Sequence, residues 1–165
     1  MSQGPKSAFA PVVSQKTRVL VCGSLPGEQS LRAGRYYANP RNQFWQLIGG
    51  VIGRDLVSLD YGARLEALLA CGVGLWDSVA RASRQGSLDT AMRDVEGAPL
   101  AALAATLPDL RAIGFNGGAS WRIGRRQFAP QSPLALVQLP SSSPAYCRVS
   151  AQDKQQAWND LRKFL

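Results

Sequence analysis

VLVCGSLPGEQSLRAGRYYANPRNQFW, residues 19–45, decides how this chain is read. Val19 to Cys22 run without polar interruption into a Gly/Pro loop, GSLPG at 23–27. A continuous apolar strand of this kind is expected where a parallel sheet is covered on both faces. Gly23 and Gly27 permit positive φ and Pro26 stiffens the turn, so backbone there can approach a ligand closely. No Gly-Lys-Ser/Thr follows, and the glycines do not make a G-x-G-x-x-G fingerprint, so a nucleotide-phosphate loop of either kind is excluded. The next segment, YYANPRNQFW at 36–45, mixes aromatics, asparagines and arginine as a pocket for an aromatic, phosphate-bearing ligand would. Leu25 stands at the centre of the loop, where a catalytic polar group would be sought.

Working outward, three further apolar runs read as buried strands: Gly74–Trp76, Ala112–Phe115 and Leu134–Gln138. Helical patterns lie between and after them, at Gln43–Ile52, Arg64–Ala70, Leu100–Leu107, Ala119–Phe128 and Ala151–Phe164. Asn42 is expected to cap the first of these. The alternation predicts a parallel sheet with helices on both sides. Residues 81–99, polar and charged, read as an irregular insertion. In such sheets ligands bind outside the carboxyl ends of the strands. The strands run into GSLPG, into Asp77-Ser78, into Asn116-Gly117-Gly118 and into LPSSSPAY at 139–146. All four segments are therefore expected on one edge.

The composition sets the bounds. The 165 residues suit one domain, taken as 18–165, preceded by a loosely held arm at 1–17. The net charge is +8, which favours an anionic partner, nucleic acid foremost. No apolar run reaches membrane-spanning length and no signal-peptide block opens the chain, so no membrane partner and a cytoplasmic location are expected. Cys22, Cys71 and Cys147 are odd in number and lack metal-ligand spacing. The chain has no histidine, which excludes Ser-His-Asp and Cys-His catalysis and most zinc sites. No metal or cofactor is expected.

Each segment keeps a plain reading beside its functional one. GSLPG is also an ordinary strand-to-helix turn. Phe44 and Trp45 are adjacent and point differently, so one is expected in the core and the other toward a pocket. Tyr36, Tyr37 and Arg41 are candidates to stack on or bind nucleic acid. The serines of LPSSSPAY suit phosphate oxygens, or a solvated turn. Arg122, Arg125 and Arg126 read as a solvated face or a phosphate track.

With these residues in place, the chain resembles the uracil-DNA glycosylase superfamily, and most of all its hypoxanthine-DNA glycosylase branch. GSLPGEQSL, YYANPRNQFW, GLWDSVARASRQGSLD (74–89), IGFNGGAS (113–120) and LPSSSPA carry the resemblance, in family order over roughly residues 18–150. It implies a three-layer α/β/α sandwich around a four-stranded parallel sheet. It implies a monofunctional enzyme, a monomer, that flips a deaminated base out of DNA and hydrolyses its N-glycosidic bond without metal, leaving an abasic site. Hypoxanthine is the first substrate, with uracil and xanthine as alternatives. Gly23, Ser24, Leu25, Pro26 and Gly27 would line the base pocket as the first motif. Phe44 would stack on the base, Asp77 would recognise it, and Asn116 would border the pocket. Ser141, Ser142, Ser143, Pro144, Ala145 and Tyr146 would grip DNA as the second motif, alongside Tyr37 and Arg41.

The departures matter as much. Leu25 replaces a polar first-motif residue, no second-motif histidine exists, and Ala145 stands where relatives carry an arginine wedge. Asn39 is therefore the residue expected to orient the water, since an amide cannot act as a general base. Asp77 would donate to the base if protonated or accept from it if ionised. A catalytically inert lesion-sensing module and a nucleotide hydrolase on the same fold are the readings of other classes.

Overall fold

The structure, a computed structural model, describes residues 6–7, 9–84 and 86–165. In chain order the elements are β1 (Lys6–Ser7), β2 (Val19–Gly23), α1 (Glu28–Ala33), α2 (Phe44–Ile52), α3 (Tyr61–Ala70), β3 (Val73–Asp77), β4 (Val79–Ser83), β5 (Arg93–Gly97), α4 (Leu100–Ala105), β6 (Ala112–Asn116), α5 (Gly118–Gly124), β7 (Ala135–Leu139) and α6 (Ala151–Trp158). A 3-10 helix at Asn159–Phe164 continues α6.

β3, β2, β6 and β7 form a four-stranded sheet in that order, all neighbours parallel. Alternation along β2 explains the layers. Val19 and Val21 enter one apolar cluster with Phe44, Leu47, Ile48, Leu68 and Trp158. Leu20 and Cys22 enter another, with Leu100, Ile113 and Phe115. Successive side chains point to opposite faces of a strand, so each face of the sheet has its own helical cover. The result is the expected three-layer α/β/α sandwich.

The helix boundaries follow local chemistry. Asp60 caps α3 by accepting from the Ala63 N–H at 2.8 Å, and Ser150 caps α6 by accepting from Asp153 N–H at 3.1 Å. Asn42 is not the N-cap of α2. That helix opens at Phe44 with Gln43 at the cap, and Asn42 Oδ1 accepts from the Phe44 N–H at 2.9 Å.

Two expectations need correcting. The stretch read as an irregular insertion supplies most of β4 and all of β5 to a second sheet, in which β1, β4 and β5 pair antiparallel. Every residue of β5 is exposed, so its sequence lacks the apolar alternation that marks a strand. The expected loose arm at 1–17 lies partly outside the described residues, but what is described is bonded to the body. Val12 and Leu75 exchange backbone hydrogen bonds at 2.9 Å. Trp76 Nε1 donates to the Phe9 carbonyl at 3.0 Å and the Tyr36 hydroxyl to the Ala10 carbonyl at 2.9 Å. Among the described residues no helix is long and apolar enough to cross a membrane.

Candidate active site

Gly23, Asp77, Asn116 and Leu139 end the four parallel strands, and the register sets Gly23 beside Asp77 and Asn116 beside Leu139. The four polar or Gly-rich segments thus meet on one edge, as the strand-end argument requires. Gly23 has no room for a side chain. A Cβ there would lie 2.8 Å from Asp77 Oδ1 and 2.9 Å from the Tyr37 hydroxyl oxygen. The glycine is what lets a carboxyl group and a phenol approach the end of β2 together.

Asp77 is the chemical centre of this edge. It is 3 % exposed, and its Oδ2 makes no hydrogen bond within the protein. Burial pushes its carboxyl well above the usual carboxylate range; the nearby Asp89 charge adds to this and Arg84 opposes it. The site therefore favours the neutral acid over the carboxylate, and no protein group bonds to Oδ2.

The aromatic wall differs from expectation. Phe44 is fully buried and cannot present a face to a ligand. Tyr37 covers it, with ring centroids 3.8 Å apart and planes 12° from parallel. Tyr37 holds φ at 53°, a left-handed conformation uncommon for a bulky residue, and its carbonyl accepts from Trp45 Nε1 at 3.1 Å. Its half-buried ring, backed by Phe44, lines the recess beside Asn39. Desolvation raises the Tyr37 phenol pKa, so the hydroxyl stays protonated.

Leu25 also departs from its expected place. It is 6 % exposed and packs with Val79, Ala82 and Met92, against Ala119 and Ile123. Its side chain belongs to the contact between the first loop and the small sheet. The loop itself is clamped by Arg84, Ser87 and Asp89. Ser24 Oγ donates to Asp89 Oδ1 at 2.6 Å, Arg84 Nη1 to the same oxygen at 3.3 Å, and Arg84 Nη2 to the Pro26 carbonyl at 2.5 Å. The Glu28 N–H, just after Gly27, donates to Ser87 Oγ at 2.9 Å.

Ser142 joins the second motif to this edge rather than reaching DNA. It is 1 % exposed. Its N–H donates to Asn116 Oδ1 at 2.9 Å, Asn116 Nδ2 donates to its Oγ at 2.9 Å, and that Oγ donates to Asn42 Oδ1 at 2.7 Å. Asn116 Nδ2 also donates to the Tyr37 hydroxyl at 3.3 Å. Ser141 and Ser143 close local turns, accepting from the Ser143 and Ala145 N–H groups. Pro144, Ala145 and Tyr146 form the exposed tip. Lys154, 2 % exposed, props this loop from within, donating to Tyr146 O at 2.7 Å and Gln43 Oε1 at 2.9 Å.

Asn39 stands at the rim. Its Oδ1 accepts from the Arg41 N–H at 2.9 Å, and its carbonyl accepts from the Asn42 N–H, closing a turn over exposed Pro40 and Arg41. A recess of about 250 Å³ lies there, lined by Tyr37, Asn39, Asn42, Trp45 and Arg64 among others. Arg122, Arg125 and Arg126 are exposed, with Arg125 over the Trp121 ring at 5.5 Å. Asn42, Arg84, Asp89 and Lys154 hold the two loops in place, and no motif in the sequence marks them for it. The one sequence signal for a distant carboxylate was the apolar Leu25 itself, which left the first loop without an acid.

A buried carboxyl beside a stacked tyrosine, at the carboxyl edge of an α/β/α sheet, fits a base-excising hydrolase, and the relatives make the chain a DNA glycosylase. The chain belongs to the Uracil DNA glycosylase superfamily, whose family model matches residues 10–162. A Methanosarcina barkeri protein named hypoxanthine DNA glycosylase is 43% identical over 115 residues, 70% of this chain and 73% of its own. A Methanosarcina acetivorans protein of the same name is 36% identical over 159 residues, 93% of this chain and 95% of its own. The solution NMR structure of a Methanosarcina acetivorans protein, described as a candidate uracil DNA glycosylase, matches with a TM-score of 0.86 at 34% identity, over 98% of this chain and 99% of that one.

Proposed function

We propose that the chain removes hypoxanthine from DNA as a monofunctional, monomeric glycosylase. The unpartnered Oδ2 of buried Asp77 carries this reading. A protonated carboxyl suits a purine, whose ring nitrogens and carbonyl oxygen accept hydrogen bonds and whose departure is eased by a proton. An ionised carboxylate in the same place would repel a departing anion. The relatives named hypoxanthine DNA glycosylase support the choice of base.

The parts then take these roles. Tyr37, backed by Phe44, stacks on the flipped base. Asp77 donates to it. Asn39 orients the water through its amide. Arg41, Ser141, Ser143 and the tip Pro144–Ala145–Tyr146 meet the DNA backbone and the gap left by the base, while Ser142 and Asn116 hold that loop to the pocket. Flipping costs a few kcal/mol, least at a mispair. The net charge of +8 helps to offset that cost through phosphate contacts. The cysteines Cys22, Cys71 and Cys147 are unpaired, which suits a reducing compartment such as the cytoplasm.

The test is a panel of end-labelled duplexes carrying hypoxanthine, xanthine, uracil or a thymine mispair, incubated with the protein and then with alkali. Alkali-labile breaks at hypoxanthine, faster than at the other lesions, are expected. Breaks confined to uracil would reassign the substrate. Tight lesion binding without breaks would make the chain a sensor.

A further inference from the structure

We propose that Asp89 is the general base of this site, taking the proton from the water that attacks the sugar. The proposal rests on the excision reading above and supplies the one part that reading lacks. Asn39 can orient water but cannot accept its proton, and Leu25 offers no polar atom.

The geometry points to Asp89. The first loop's single polar side chain, Ser24, is directed at this carboxylate and donates to Oδ1 at 2.6 Å. Arg84, whose side chain is fully buried, donates to the same oxygen at 3.3 Å. Among the described residues Oδ2 has no such partner, and the side chain is 39% exposed. One oxygen is anchored, the other carries no hydrogen bond, and the side chain is partly exposed, so Oδ2 is free to accept from a water. The backbone is fixed too, since a 3-10 turn spans Asp89–Ala91 and Met92 docks in the apolar cluster that holds Leu25. Leu25 thus anchors the segment that brings the carboxylate.

The charged and titratable groups around Asp89 sort the two acids. Burial raises the Asp89 pKa, and the Ser24 hydrogen bond and the charges of Arg84 and Arg122 offset this only in part. Its charge is felt by Asp77 and by Tyr37, which places all three groups in one field. Asp77 is 3 % exposed, its Oδ2 has no hydrogen bond, and burial pushes its carboxyl well above the usual range. Two carboxyls held apart in this way divide into an acid and a base. The step balances. The water oxygen bonds to the sugar C1′ as the C1′–N bond breaks, and the electron pair leaves with the purine. The water's proton goes to Asp89 Oδ2, the purine receives one from Asp77, and solvent then restores both carboxyls.

The experiment is single-turnover release of hypoxanthine from duplex DNA by wild type, Asp89→Asn, Asp89→Glu and Asp89→Ala across pH. Asparagine keeps an acceptor for Ser24 and Arg84, so its effect reports chemistry. Asp89→Asn is expected to slow release by about a hundredfold or more, in the range of general-base loss. Its affinity for duplex carrying a tetrahydrofuran abasic analogue should stay within about threefold of wild type, the mark of a loss confined to the transition state. The wild-type rate should fall on the acid side as Asp89 protonates, and the Asn variant should lack that limb. Formate should restore part of the Asp89→Ala rate, which a purely structural carboxylate would not allow. Should the Asn protein not fold, Asp89→Glu decides by keeping the acid limb. An Asn variant within about threefold of wild type, or one that keeps the limb, overturns the proposal. A wild type that releases no base from any duplex overturns the excision reading beneath it instead.

Discussion

At the scale of single residues, the account turns on Asp77 and Leu25. Asp77 ends β3 in the register position beside Gly23, and the fold leaves its buried Oδ2 unbonded. Holding a carboxyl this way costs stability. Its pKa in the folded chain is raised above the unfolded value, so at low pH it is protonated in both states and the cost vanishes. As pH rises through the unfolded value, the unfolded chain ionises while the folded one does not, and stability is lost until the folded pKa is reached. Asp77→Asn is therefore expected to melt higher than wild type near about pH 8, with the gap closing toward about pH 4. Thermal unfolding at the two pH values checks this. The same variant should release hypoxanthine far more slowly, a stability gain at the expense of function. Asp77 was legible from sequence because it follows an apolar strand directly. The stacking of Tyr37 over a buried Phe44 was not, because spacing alone cannot tell which of two aromatics is buried behind the other. Nor was Asp89, which meets Ser24 across 65 positions of chain.

At the scale of elements, the site is held by segments that bind each other rather than by the sheet alone. Arg84, Ser87 and Asp89 grip the first loop through Pro26, Glu28 and Ser24. Lys154 on α6 grips the second motif through the Tyr146 carbonyl and ties it to Gln43 at the head of α2. No carboxylate pairs with this buried cation among the described residues; its partners are neutral oxygens. Lys154→Met is expected to loosen the loop and weaken duplex binding by about tenfold, the loss of a charge-assisted hydrogen bond or two. The rate of base release from saturated enzyme should change far less. Separate measurement of Kd and of the single-turnover plateau rate distinguishes the two. The main sheet was legible because parallel strands covered on both faces are continuously apolar. The small sheet was hidden because β5 is exposed throughout and its pairing with β4 is irregular.

At the scale of the whole molecule, a positively charged α/β/α sandwich presents one chemically specialised edge. Its excess of 19 Lys and Arg over 11 Asp and Glu predicts duplex binding that weakens steeply with salt, each phosphate neutralised adding about −0.9 to the log–log slope. Titration of fluorescent duplex between low and physiological salt checks this, and the rate of release from bound DNA should follow salt much less. The central claim is that a neutral, buried Asp77 supplies the proton with which the purine leaves. Single-turnover release of hypoxanthine from duplex DNA, followed from acid to alkaline pH for wild type and Asp77→Asn, tests it most directly. The account predicts that wild-type release falls on the alkaline side, as Asp77 loses its proton, and that the slower Asn variant has no such fall. A wild-type rate that holds or rises with pH through that range, or an Asn variant as fast as wild type, would contradict it.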